Sequence, residues 1–147
     1  MRRCIMKTAL IMVCAALLFF SAPAVAQNFV EPEILKQWLE SRRPVILIDL
    51  QPAAAFRQRH IRGSVMTNAY SVETAEQKKR LDSALPRIKS SDRAVVIIHA
   101  PGKMGRIGGG NAYDYFVSRG VAESRIFILN GGIDNFPYEN LTEKSGT

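Results

Sequence analysis

One short stretch of this sequence concentrates the groups able to do chemistry. His99-Ala100-Pro101-Gly102-Lys103-Met104-Gly105-Arg106 follows an apolar run, Ala94 to Ile98, and precedes Gly108-Gly109-Gly110. A glycine-rich passage from a strand into a helix lets backbone N–H groups converge on an anion, and the positive end of the helix adds to them. With a helix starting near Ile107, the amides of Gly102, Lys103, Met104, Gly105 and Arg106 form such a cradle. Lys103 and Arg106 add charge to it, and Arg106 can fork onto two oxygens. The glycines permit tight turning and close approach of backbone to a ligand. The plainer alternative is a loop that only connects strand to helix.

His99 is the loop's candidate base or nucleophile. Either role needs its ring aimed into the loop and a partner to orient it, and the sequence identifies no orienting carboxylate. Asp49 ends another apolar run, Val45 to Asp49. It can orient the loop, contact a ligand, or cap Gln51 to Ala53 at the next helix. The two histidines, His60 and His99, are far apart and no cysteine lies near them, which makes poor metal-ligand spacing. No metal site or cofactor is implied.

The elements that must position these groups lie downstream of an expected export signal. Arg2, Arg3 and Lys7 precede an almost unbroken apolar run from Thr8 to Phe20, and Ala24-Val25-Ala26 is a small-x-small cleavage site before Gln27. The run is too short for a bilayer core of roughly 30 Å, which takes about 20 apolar residues. The Arg2-Arg3 pair also has the look of a twin-arginine signal. Cleavage after Ala26 leaves residues 27 to 147 as one periplasmic or secreted domain with no membrane attachment. Cys4 and Cys14 depart with the leader, so the exported form has no thiol chemistry of its own. Of 20 Lys and Arg, Arg2, Arg3 and Lys7 also leave, so 17 face 13 Asp and Glu, a net charge of +4. That balance gives no case for nucleic acid.

Within 27 to 147 the pattern is of short buried strands alternating with helices. Pro32 opens a helix carrying Ile34, Leu35, Trp38 and Leu39 at helical spacing, stopped by Arg42-Arg43-Pro44. Val45 to Asp49 is a strand, Pro52 to Arg59 a short helix, and Ile61 to Val65 turns into a second strand. Glu73 to Leu85 is an amphipathic helix ended by Pro86, with Lys78-Lys79-Arg80 on its solvated face. Ala94 to Ile98 is the clearest strand. The helix after the loop runs to Arg119 with Gly120 closing it, and Tyr113, Tyr115 and Phe116 on it fill the core. Arg125 to Leu129 is a last buried strand, and the tail from Glu143 is polar and frayed. This order predicts an α/β domain, a mostly parallel sheet with helices on both faces.

Three blocks in this order resemble the rhodanese family, across about residues 30 to 138. Ile46-Leu47-Ile48-Asp49-Leu50, then Phe56 and His60-Ile61-Arg62-Gly63-Ser64, is similar to the family's opening strand and its His-Ile-x-Gly-Ala turn. Val95 to Ile98 and the loop after it resemble the active-site strand and loop. Ile128-Leu129-Asn130-Gly131-Gly132-Ile133, with Phe136 where Trp is common, resembles the closing Gly-Gly block. The departures carry as much information. Family enzymes hold a catalytic cysteine at the head of that loop. Counted from the strand end, its place is taken by His99. Counted back from Arg106 in the His-Cys-five residues-Arg pattern of the phosphatase and arsenate-reductase branch, it is taken by Ala100. The second register is favoured, because His99 and Arg106 then both fall where that pattern wants them. In it the histidine supports the loop by hydrogen bonding, and His60, in the turn block, braces backbone. Gln51 replaces a frequent Arg, and Ala55 a common Glu.

The resemblance thus implies a sulfurtransferase fold without its nucleophile. The expected function is a non-catalytic module binding a small oxyanion (phosphate, sulfate, thiosulfate or arsenate) or a periplasmic protein. The alternative is an enzyme of the rhodanese or phosphatase type, working on sulfur, phosphoryl or arsenate groups without cysteine, through His99 and Arg106.

Overall fold

The computed structural model describes residues 26–146. The expected export signal, Cys4 and Cys14 fall almost wholly or wholly before this span, and Thr147 after it, outside the described residues.

Among the described residues seven strands and five α-helices follow one another: β1 (Phe29–Val30), α1 (Pro32–Glu40), β2 (Val45–Asp49), α2 (Ala53–Gln58), β3 (His60–Ile61), β4 (Val65–Met66), α3 (Ala75–Asp82), α4 (Leu85–Lys89), β5 (Ala94–Ile98), α5 (Gly102–Ser118), β6 (Ile126–Leu129) and β7 (Thr142–Glu143). Five strands form one parallel sheet in the order β1-β6-β5-β2-β4. Its centre is the β2–β5 pair, in register from Val45 opposite Ala94 to Asp49 opposite Ile98. Both strands read as unbroken apolar runs because both faces of the sheet are covered. Alternate side chains point to opposite faces. Ile46, Ile48, Val95 and Ile97 join Leu81, Ile88, Tyr113 and Phe116 from α3, α4 and α5 on one side. Leu47, Val96 and Ile98 join Leu35, Ile133 and Phe136 on the other.

Four departures from the sequence expectations have physical causes. The helix expected from Glu73 to Leu85 is two: α3 starts behind a reciprocal cap between Thr74 and Gln77, and Pro86 sits in the first turn of α4. Proline is favoured there because that N–H has no partner within the helix, so Pro86 opens a helix and does not end one. The strand expected after Ile61 is split in two by Gly63 at φ +84°, with β3 outside the main sheet. β1, too short to read from pattern, joins the sheet edge through Phe29 opposite Ile128. The tail expected to fray from Glu143 is tied down as far as Ser145: β7 pairs antiparallel with β3, and the Ser145 N–H donates to the Arg57 carbonyl at 3.0 Å.

Candidate functional site

The expected five-residue cradle takes another form. α5 begins at Gly102, five residues before Ile107, so Gly102 to Arg106 are its first turn and a half. Pro101 and Gly102, the latter at φ +81°, turn the chain straight from β5 into the helix. The glycines that follow serve close packing of backbone on backbone. A Cβ at Gly105 would lie 1.9 Å from the Ala100 carbonyl oxygen, and one at Gly108 would lie 1.9 Å from that of Tyr70. Amides inside a helix run parallel to its axis, and only those of the first turn are left without a helical acceptor. The anion-attracting feature is therefore the α5 N-terminus, not a ring of converging amides.

Beside that terminus runs a groove of about 480 Å³, walled on one side by Gly102, Arg106 and Gly110 of α5. Phe29 and Gln27 at β1, with Ile128, Asn130 and Gly131 at the end of β6, form the other side, and His99 opens onto it. It lies at the carboxyl end of the sheet strands, where open α/β folds place ligands. Arg106 is exposed and has no hydrogen-bond or ion-pair partner among the described residues. Among the described residues no carboxylate lines the groove.

His99 is only 4 % exposed. Its Nδ1 lies 2.8 Å from the Ala100 carbonyl oxygen. A carbonyl only accepts, so Nδ1 carries a proton and donates to it; in the neutral form of the ring Nε2 then keeps a lone pair. The Nδ1–Cε1 edge faces Gly132, where an added Cβ would come within 2.6 Å of Nδ1; the Cδ2 edge faces Gly109 at 3.2 Å. The His99 carbonyl accepts from the Ile133 N–H at 3.1 Å. The Gly131-Gly132 turn, at φ +77° and +65°, is thus the piece that lets the chain pass over His99. Ala100, 2 % exposed, is packed into the interior and does not line the groove.

Of the residues singled out in the sequence, the structure brings His99, Gly102 and Arg106 to one groove. Lys103 and Met104 are exposed elsewhere on α5, and Gly105 is buried against Ala100. Asp49 and His60 belong to a second cluster. The Asp49 carboxylate accepts from the Gln51 N–H at 2.8 Å and from Gln51 Nε2 at 3.0 Å, and the same Nε2 donates to the Arg59 carbonyl. Burial pushes the Asp49 carboxyl up to about 6, against the hydrogen bonds from Gln51 and the attraction of His60, which lower it. His60 stacks on Phe56, places Nδ1 2.7 Å from the Phe56 carbonyl oxygen, and meets Glu143 at 3.3 Å. Arg59 ties this cluster to the closing turn by donating to the carbonyls of Ile133 and Phe136. Gln27, Phe29 and Asn130 escaped the sequence reading. Only Asn130, within the Asn-Gly-Gly run at a strand end, carried a signal for it.

The family described as the rhodanese-like domain matches residues 31–137. Solved structures agree at the level of fold. A rhodanese-like domain from Anabaena is 17 % identical, with a TM-score of 0.58 over 81 % of this chain and 80 % of its own. A yeast protein tyrosine phosphatase of the rhodanese family is 16 % identical, with a TM-score of 0.56 over 83 % and 95 %. A thiosulfate sulfurtransferase from Pseudomonas aeruginosa is 14 % identical, with a TM-score of 0.59 over 82 % of this chain and 21 % of that larger one. Among proteins of curated function none matches.

Proposed function

Since the chain belongs to the rhodanese-like domain family, we propose that it is an exported, non-catalytic member that binds a small anion. Membership alone does not decide this, because one fold hosts many activities. The observation that carries the reading is the groove itself: Arg106, unpaired among the described residues, and the α5 N-terminus share it with no carboxylate. At the loop positions where a cysteine would stand are His99 and Ala100, and residues 27 to 147 contain no sulfur nucleophile. A covalent persulfide therefore has no thiol to form on within residues 27 to 147. Loss of a negative thiolate also favours an incoming anion.

Thermal unfolding of the form beginning at Gln27, against phosphate, sulfate, thiosulfate, sulfite and arsenate, tests this. An anion at about 100 times its dissociation constant stabilises by roughly 2.7 kcal/mol, several degrees for a domain of this size. The shift should vanish in Arg106→Ala. No shift with any anion refutes the reading.

One observation favours a second reading. His99 lines the groove and its Nε2 has no hydrogen-bond partner among the described residues, so it can act as a general base with Arg106 holding an oxyanion. An activity that survives Ala100→Ser and dies in His99→Asn would establish it. Transfer of sulfur from thiosulfate to cyanide by the unaltered protein would overturn the non-catalytic reading.

A further inference from the structure

The groove is poorly matched to a bare inorganic oxyanion, and the mismatch says what fits better. A volume of about 480 Å³ lies in the range that small organic ligands occupy, roughly 300–1,000 Å³. A tetrahedral oxyanion on Arg106 leaves most of it filled with water. The groove's lining includes Phe29, which is 55 % exposed though it belongs to the sheet, while its neighbour Ile128 is buried in the core. An exposed aromatic ring beside a single cation suits a ligand with an apolar body and one acidic group.

The third feature is His99 Nε2. The residue is buried, yet this atom has no hydrogen-bond partner among the described residues. It is not sealed off either: among the described residues the sealed, unpartnered side-chain atoms are the hydroxyl oxygens of Ser64 and Ser91. Buried polar atoms are paired in the great majority of cases. With Nδ1 committed as a donor to Ala100, Nε2 in the neutral ring can only accept. Its complement is a ligand hydroxyl or N–H. Sulfate and thiosulfate, fully ionised, carry no such hydrogen; hydrogen phosphate and hydrogen arsenate do, but have no apolar group to set on Phe29.

We propose that the groove binds an organic acid whose carboxylate lies on Arg106, whose hydroxyl donates to His99 Nε2 and whose apolar group lies on Phe29, a 2-hydroxy acid being the simplest such compound. This rests on the groove being an anion site, and it names the class of anion.

Titration calorimetry of the purified protein with mandelate, phenylacetate, glycolate and sulfate tests it. Mandelate and phenylacetate share the ring and carboxylate and differ only by the hydroxyl. A gained hydrogen bond makes mandelate about fivefold the tighter binder. Phe29→Ala should weaken mandelate severalfold and leave glycolate unchanged. His99→Asn keeps a donor at the place of Nδ1 and removes the far nitrogen, so it should bring mandelate down to phenylacetate. The comparison of the two ligands on the unaltered protein stands whether or not that variant folds. Equal binding of the two overturns the hydroxyl contact to His99 on which the proposal rests, and tighter Arg106-dependent binding of sulfate overturns the organic-acid assignment; either leaves the anion reading in place. No binding of any of the four, with inorganic phosphate also silent, overturns both.

Discussion

Replacing Gly108 by Ala probes whether α5 is seated as described, and its effect can be worked out in advance. The added Cβ would stand 1.9 Å from the Tyr70 carbonyl oxygen, 2.9 Å from its carbon and 3.0 Å from the Ser71 Cα. An ordinary carbon–oxygen approach is about 3.3 Å or more, so roughly 1.4 Å of separation must open. The opposing atoms are backbone and cannot rotate aside. Their segment has little freedom, since Asn68, Tyr70 and Val72 already hold φ of +53°, +47° and +51°. Overpacking costs about 1–3 kcal/mol, and a clash with backbone belongs at the upper end. Alanine returns up to about 1 kcal/mol in helix propensity. The net loss is about 2 kcal/mol, a fall in Tm of roughly 6–10 °C for a domain of this length. Gly110→Ala is the internal control. The atoms nearest its Cβ belong to the Gln27 side chain, at 3.3 Å and not to backbone, so the propensity gain should survive and the variant should be as stable as the parent or slightly more so. Thermal and urea unfolding followed by circular dichroism measure both. Equal stability of the two variants would show that α5 does not lie against residues 70 and 71.

Three further outcomes follow from other parts of the structure. Asp49, raised to about 6 from 3.8 by burial, keeps its proton in the folded state over a range where the unfolded chain has released it. The folded state therefore binds more protons between those values, and this group's stabilisation, on the order of 3 kcal/mol, is lost as pH rises from about 4 to above 6. Asp49→Asn should remove that downward component from a pH series of urea midpoints; an unchanged profile would refute the assignment. His99→Cys should be alkylated by iodoacetamide at least about tenfold faster than Ala100→Cys, because residue 99 opens onto the groove and residue 100 does not; equal rates would contradict the described loop. Arg106→Ala should change unfolding free energy by less than about 0.5 kcal/mol, since the side chain is exposed and unpaired among the described residues, and a larger loss would make it a structural residue.

The sheet was legible because burial on both faces writes itself as runs such as Val45–Asp49 and Ala94–Ile98, with no polar residue inside to blur their limits. Family resemblance then supplied the fold from the Asp49, Gly63 and Gly131-Gly132 blocks. The loop misled because glycine has two uses that look alike in one dimension. Gly102 takes a positive φ, as a turn requires, whereas Gly105 and Gly108 are helical and small because backbone passes over them. Only the third dimension separates those cases. The groove shows the same limit: Gln27, Phe29 and Asn130 are brought to Arg106 by β1–β6 pairing between distant segments, and no local pattern announces it. β3 and β7, two residues each, are fixed by their partners and not by propensity.

The placement of β1 at the outer edge of β6 also governs the order of assembly. Phe29 is opposite Ile128, partners about a hundred residues apart, and such long closures slow folding. A chain delivered N-terminus first shows β1 early and its sheet neighbour, β6, almost last. β5 and β2 can pair before that, but the wall bearing Phe29 and Gln27 cannot close until β6 has arrived. Binding competence should therefore be the last property acquired during refolding, trailing the burial of the central strands, and the first to go when the edge frays.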